Sequence, residues 1–240
     1  VHSPFAYKLC EEVFYNTDSF YAFKQLDLVR KHLLVDETIL EIEDFGAGSK
    51  TLNDKSRKIK DIAAKGISSQ KQSEILFKLL NFLKCETVIE LGTSLGLNTL
   101  YLSMVNSNTK IISLEGDKSL SDFASQLSNK YKQTNTEFVH AKFDDILPSL
   151  LQKINTLDLF YVDGNHTYSA TMRYFEMALP KKNQQSVFVF DDIYWSPEMT
   201  KAWEEIKKHP SVKLSIDTFY FGLVFFDEGI KEKVDLRMYL

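Results

Sequence analysis

Residues 86–99 read ETVIELGTSLGLNT: a short apolar run broken by Glu90, then Gly92 and Gly96, then the start of another apolar stretch. An earlier stretch, TILEIEDFGAGSKT at 38–51, has the same outline of apolar residues, acids and two glycines. Either outline suits a strand-to-helix turn where the backbone can approach a nucleotide-like cofactor, and the context separates them. The 86–99 stretch is followed by a helical segment, LNTLYLSMV, and a second strand, KIISLE, whose last residue is Glu115, 25 positions beyond Glu90. A doubly wound sheet places an acid for the ribose hydroxyls at about this distance. The earlier stretch leads instead into the cationic KTLNDKSRKIKDIAAK. Its own strand candidate alternates Leu40 and Ile42 with Glu41 and Glu43, an exposed or edge pattern. The glycine pair alone is equally consistent with a tight turn needed only for backbone geometry.

Working outward, SSQKQSEILFKLLNFLK has a polar N-cap and apolar spacing of three and four, and from there strands and helices alternate. TVIEL, KIISLE, TEFVHA, LDLFYVD and SVFVFD are short, apolar and rich in β-branched or aromatic residues. LNTLYLSMV, SLSDFASQLSNKY, ILPSLLQKI and TYSATMRYFEMAL read as helices between them. Five strands with crossover helices predict an α/β fold, a Rossmann-like doubly wound sheet covered on both faces. VKLSID and FYFGLVFF lie too close together for a crossover, so they are expected to form an antiparallel hairpin at the sheet edge. Ahead of the alternating region, Phe5, Leu9 and Val13, then Phe23, Leu26, Val29 and Leu33, recur at helical spacing around a turn-like NTDS. The expected organisation is an N-terminal helical extension and lid over 1–66, then the cofactor-binding domain over 67–240. The cationic 50–65 stretch reads either as a solvated helix face or as a lid over an anionic group.

A chain of 240 residues with 44% apolar content can bury a full core. A net charge of −4 gives no electrostatic reason to expect nucleic acid or an anionic membrane as partner, so a small molecule is expected. Cys10 and Cys85 lie far apart with no ligand spacing, which fits a reducing cytoplasm and no thiolate metal site. The longest apolar run, FYFGLVFF, is far short of the roughly 20 residues of a membrane-spanning helix, so no membrane partner is expected. The first residue, Val1, suggests an initiator segment outside the chain. A homodimer is left open.

Three acids stand at neighbouring strand ends: Asp163 after one strand, Asp191 and Asp192 after the next. If all face one crevice, their repulsion calls for a cation or for protons, and hard oxygen ligands suit Mg2+ or a similar divalent ion. The alternative is that Asp163 and Asp192 cap the helices that follow. His166, three residues from Asp163, can accept a hydroxyl proton near neutral pH, or can be a helix-cap histidine. His140, inside a strand, is expected to pack. Tyr194 and Trp195, directly after the acids, are candidates for a pocket wall or for plain core.

Together VIELGTSLGLNTLYLS, IISLEGD, LFYVDGNHTY and VFVFDDIYW, in this order, resemble the motifs of a class I S-adenosylmethionine-dependent methyltransferase. They are most similar to the metal-dependent O-methyltransferases of the catechol and caffeoyl-CoA type and to the macrocin-type sugar methyltransferases. The resemblance runs from Thr87 to about Phe226 and implies a mostly parallel sheet with an antiparallel last strand. It implies S-adenosylmethionine as cofactor: Glu90 near the methionine amino end, Gly92 and Gly96 in the turn beneath, Thr93 and Ser94 along the methionine side, and Glu115 on the ribose. Lys142 stands where the family often has an acid near adenine, with Phe143 and Asp144 as substitutes. Asp163, Asp191 and Asp192 match the metal-holding positions, Asp192 replacing an asparagine, and His166 falls at the position of the catalytic base.

The implied activity is metal-assisted O-methylation of a small hydroxylated acceptor, with Asp163 and His166 in the catalytic site. A metal-independent N- or carboxyl-methyltransferase and a catalytically idle cofactor-binding module are the alternatives. A nicotinamide-dependent dehydrogenase is disfavoured because the G-x-G-x-x-G turn is absent.

Overall fold

The structure, a computed structural model, describes residues 3–42 and 56–239. Ser3 caps the first helix, α1 (Pro4–Leu9), which runs into a wider helical turn at Cys10–Phe14. Next come α2 (Phe23–Leu33), β1 (Ile39–Glu41), β2 (Ser56–Lys58) and α3 (Ile59–Gly66). β1 and β2 pair antiparallel in a small sheet of their own. The edge pattern of Leu40 and Glu41 thus keeps this segment out of the central sheet; the DFGAGS turn lies outside the described residues.

α4 (Gln70–Leu83) opens on a capping box in which Ser69 and Gln72 serve each other's backbone amides. The expected alternation follows: β3 (Thr87–Leu91), α5 (Leu97–Ser103), β4 (Lys110–Glu115), α6 (Lys118–Lys130) and β5 (Thr136–His140). It continues through α7 (Phe143–Lys153), β6 (Leu157–Val162), α8 (Tyr168–Ala178), β7 (Lys182–Asp191) and α9 (Pro197–Lys208). The tail supplies β8 (Leu214–Asp217), β9 (Phe221–Phe225) and β10 (Val234–Arg237).

The central sheet has the order β10-β8-β9-β7-β6-β3-β4-β5. β3 to β7 are parallel, and β9 is antiparallel to both its neighbours. The three residues between β8 and β9 allow only a hairpin, so one strand must reverse. The hairpin is not the edge: β10 adds parallel to β8 outside it. The polar, alternating VDLR gave little apolar signal, and its strand pairing depends on β8 being there to receive it. Chain progression reverses between β3 and β6, which opens a crevice beyond their carboxyl ends.

Both faces of the sheet are covered. Ile89, Leu91, Phe160, Val162, Phe188 and Phe190 point to the side of α7, α8 and α9. Val88, Leu159, Tyr161, Val187 and Val189 point to the side of α1 and α4. Each such side chain, fully removed from water, contributes about 1.5–3 kcal/mol before entropy is counted. The N-terminal helices share these clusters: Ala6, Leu9, Val13 and Phe14 pack with Ile75, Leu79 and the sheet, and Leu26, Val29 and Leu33 pack with Phe77, Leu100 and Tyr101.

Candidate functional site

The turn from β3 into α5 is held open by backbone geometry. Gly92 has φ +99°, and a Cβ there would sit 1.8 Å from the Asp163 carbonyl oxygen, so only glycine fits. Ser94 also lies in the left-handed region, at φ 50°, and its N–H donates to Glu115 Oε2 at 2.8 Å. Gly96, at φ +75°, meets Ala124 of α6; a Cβ would be 2.6 Å from the Ala124 Cβ. Gly96 is therefore required for close packing of the turn on α6, whereas Gly92 is required where β3 meets the loop after β6.

Glu90 is completely buried, as strand alternation demands of a residue flanked by core positions. Its Oε2 accepts from Thr99 and from Ser113, the latter at 2.5 Å, while its Oε1 has no partner. Thr93 continues the network to Ser113 at 2.6 Å. Burial pushes the Glu90 carboxyl up to about 7, opposed by the two hydroxyl bonds and aided by nearby Glu115. A buried acid oxygen without a donor is costly. Glu115, at the end of β4, accepts from Ser94 N–H and, at 3.0 Å, from Asp117 N–H. Burial raises its pKa, partly offset by those bonds. Asp117, not Glu115, caps α6.

The expected adenine side is rearranged. Phe143 and Asp144 belong to the first turn of α7, not to a loop. The Phe143 ring lies so close to Gly164 that a Cβ there would be 2.9 Å from it, which places an aromatic face beside the crevice. Asp144 pairs with Arg173 at 2.7 Å and accepts from Tyr174, so its carboxylate ties α7 to α8. Lys142 is the residue preceding α7. His140 does not pack: it is exposed at the end of β5, where its ring meets the Gly116 carbonyl at 3.0 Å.

The acids after β6 and β7 do come together, in a way the sequence did not show. Asp163 and Asp191 stand one step beyond the last paired residues, Val162 and Phe190, of adjacent parallel strands. Buried Tyr161 lies between them, its hydroxyl 3.1 Å from Asp163 Oδ2 and 2.9 Å from Asp191 Oδ2. A phenol has one hydrogen, so it donates to one carboxylate at a time. Burial and the neighbouring acids push Asp163 up to about 7 and raise Asp191 well above the usual range. His166 Nε2 sits 3.8 Å from both Asp163 Oδ1 and Asp192 Oδ2, close enough for charge attraction and too long for a hydrogen bond.

The helix-capping alternative falls: Thr167 caps α8 and Ser196 caps α9. The expected three-acid metal set is not formed either, since among the described residues no three His, Cys, Asp or Glu side chains are grouped to hold a metal ion. Asp163 and Asp191 are drawn onto Tyr161, and Asp192, half exposed at φ 54°, meets His166 with its carboxylate and donates its N–H to Asp191 Oδ1 at 3.0 Å. Beside the acids, Trp195 is 69% exposed, and the Tyr194 ring lies 5.6 Å from Phe219, which with Tyr220 is exposed in the β8–β9 turn. Asp217 fastens this wall, accepting from Tyr194 Oη at 2.5 Å and from Phe219 N–H at 2.8 Å.

The chain has the fold of the class I S-adenosylmethionine-dependent methyltransferases. Residues 89–193 match the family model described as a methyltransferase domain. In sequence, the chain is similar to the uncharacterized protein R132 of Acanthamoeba polyphaga mimivirus, 29% identical over 133 residues, which covers 50% of this chain. The match spans 58% of that relative's length. In structure, it resembles an O-methyltransferase from Bacillus cereus in complex with SAH (TM-score 0.61, 15% identical, 91% of this chain and 96% of that one). It also resembles the O-methyltransferase TomG from Streptomyces achromogenes, involved in tomaymycin synthesis and in complex with SAM (TM-score 0.58, 20% identical, 67% and 82%). Likeness at these identities speaks to the fold. Among the described residues no helix is long and apolar enough to cross a membrane.

Proposed function

We propose that the protein transfers the methyl group of S-adenosylmethionine to an oxygen of a small hydroxylated acceptor. The observation that carries this reading is the pairing of two features across one crevice. On one side, the unpartnered Glu90 oxygen and the Gly92 turn fit the methionine end of the cofactor. On the other, His166 stands between Asp163 and Asp192 as a proton acceptor. Bound S-adenosylmethionine supplies an electrophilic methyl; the chain's own residues hold it, orient the acceptor and take the proton. Glu90 receives the amino group, Glu115 the ribose hydroxyls, and the Phe143 ring flanks the adenine. As the acceptor oxygen attacks, His166 takes its proton, and Asp163 and Asp192 stabilise the imidazolium. The exposed aromatic pair of Phe219 and Tyr220, packed beside Tyr194, and the exposed Trp195 in the loop after β7 support an acceptor with an apolar or planar body.

Asp163, Asp191 and Asp192 have the oxygen chemistry a divalent ion prefers. Their arrangement around Tyr161 and His166 does not fit a metal centre. A metal-assisted form is the second reading, favoured by the burial and then the mutual repulsion that raise Asp163 and Asp191. The test is to screen phenols, catechols and sugars with radiolabelled S-adenosylmethionine, with and without EDTA and added Mg2+. Methylation that survives EDTA supports the metal-free form; loss restored by Mg2+ supports the second reading. S-adenosylmethionine binding without transfer to any acceptor would sink both in favour of an idle module.

A further inference from the structure

We propose that Tyr161 is a positioning residue for methyl transfer, held in place by a buried hydrogen-bonded chain that begins at Arg30 in α2. The proposal rests on the methyltransferase reading above. Strand alternation puts Tyr161 and Asp163 on the same face of β6, and the register of β6 with β7 brings Asp191 alongside. The Tyr161 hydroxyl contacts both acids and is itself surrounded. Asn98 Nδ2 donates to it at 3.3 Å, and Ser68 Oγ lies 3.4 Å away.

The chain then leads away from the crevice. Asn98 Nδ2 also donates to Ser68 Oγ at 2.8 Å, and Asn98 Oδ1 accepts from Ser73 Oγ at 2.7 Å. Arg30 closes it, donating from Nη2 to Ser73 Oγ at 3.0 Å and from Nη1 to the Ser68 carbonyl at 2.7 Å. Arg30 and Ser73 are buried, and the two Nη groups of Arg30 are spent on this chain while its Nε has no partner. Four elements, α2, α4, α5 and β6, meet in this chain, which ends at Asp163 and Asp191.

The consequence is a division of labour. Asn98 and Ser68 fix the phenol oxygen, and the phenol fixes Asp163, one of the two carboxylates beside the imidazole, together with Asp191, whose Oδ1 accepts from the N–H of Asp192, the other one. Correct placement of the proton acceptor therefore depends on α2, which lies outside the stretch that matches the methyltransferase domain.

The test compares wild type with Tyr161→Phe, which removes only the hydroxyl, and Ser73→Ala, which cuts the chain between Arg30 and Asn98. Two readouts are used. Calorimetry and NMR need no acceptor: both variants are expected to bind S-adenosylhomocysteine within about twofold of wild type, and both to shift the His166 ring signals while leaving those of His32 unmoved. With an acceptor found in the screen, Tyr161→Phe is expected to lower kcat about 10- to 100-fold with little change in KM for S-adenosylmethionine, and Ser73→Ala to lower it less. Failure to find an acceptor would count against the methyltransferase reading and leave the NMR arm to decide this one. Unmoved His166 signals in both variants, unchanged kcat, or loss of S-adenosylhomocysteine binding in both, would overturn it, the last because the chain would then be only scaffolding.

Discussion

Glu90 shows how one side chain couples cofactor, proton and stability. Its carboxyl is ordinary in the unfolded chain, near 4.5, and is pushed up to about 7 by burial in the fold. Between those values the folded state holds a proton that the unfolded state has released. Stability from this group is full below about pH 4.5, falls as pH rises through about 7, and is level above. The loss is on the order of 3 kcal/mol at most. Glu90→Gln is expected to flatten that part of the profile in urea melts at pH 5 to 8, and to bind S-adenosylmethionine more weakly. Arrival of the cofactor's ammonium should also ionise Glu90, so binding near pH 6 releases a proton, detected as a buffer-dependent enthalpy in calorimetry. Glu115→Ala removes the acceptor of Ser94 and Asp117, and with it the proposed ribose contact. It should weaken cofactor binding by about 1.5–3 kcal/mol; unchanged affinity would remove Glu115 from the site. Gly92→Ala forces a methyl onto the Asp163 carbonyl, and a thermal melt should show a loss of at least about 2 kcal/mol.

At the scale of elements, the antiparallel β9 packs closely on α9. Gly222 faces the indole of Trp203 on α9, and a Cβ there would lie 2.6 Å from the ring. Gly222→Ala must displace a fully buried tryptophan, so it is expected to destabilise the fold by about 1–3 kcal/mol in denaturant titration, against almost nothing for Gly229→Ala in an exposed turn. A smaller cost at Gly222 would mean that α9 shifts freely over the sheet. The β8–β9 turn has the opposite character. Phe219 keeps a bulky side chain exposed at φ 74°, a conformation held by the Asp217 carboxylate. Asp217→Asn should slow methylation of planar acceptors while leaving cofactor affinity within about twofold, since it loosens the wall and not the Gly92 turn.

For the whole molecule, the N-terminal helices complete the core. Removing residues 3–35 would uncover Ile75, Leu79 and Leu100, together with the strand residues packed against Phe14 and Leu9. A chain starting at residue 67 is expected to lose cooperative unfolding and to bind a hydrophobic dye, whereas the intact protein should melt in one transition. A sharp melt of the truncated chain would show that the sheet is adequately covered without them.

Local pattern alone sufficed for the five parallel strands and the crossover helices. Each depends on periodicity or on spacing along the chain, which neighbouring residues express without help from distant ones. The hydrogen-bond partners of the site were out of reach in that way. Tyr161 reads as one more apolar strand residue, Ser113 and Thr99 as ordinary polar ones, and Arg30, Ser73 and Asn98 as members of three unrelated helices. That Asp163 and Asp191 would turn onto a phenol, that Thr167 and Ser196 would take the caps, and that β10 would shield the hairpin depend on register between strands far apart in sequence. Contacts of that kind exist only once the sheet has assembled, because a pleat decides which face a side chain takes while its neighbour strand decides what it meets there.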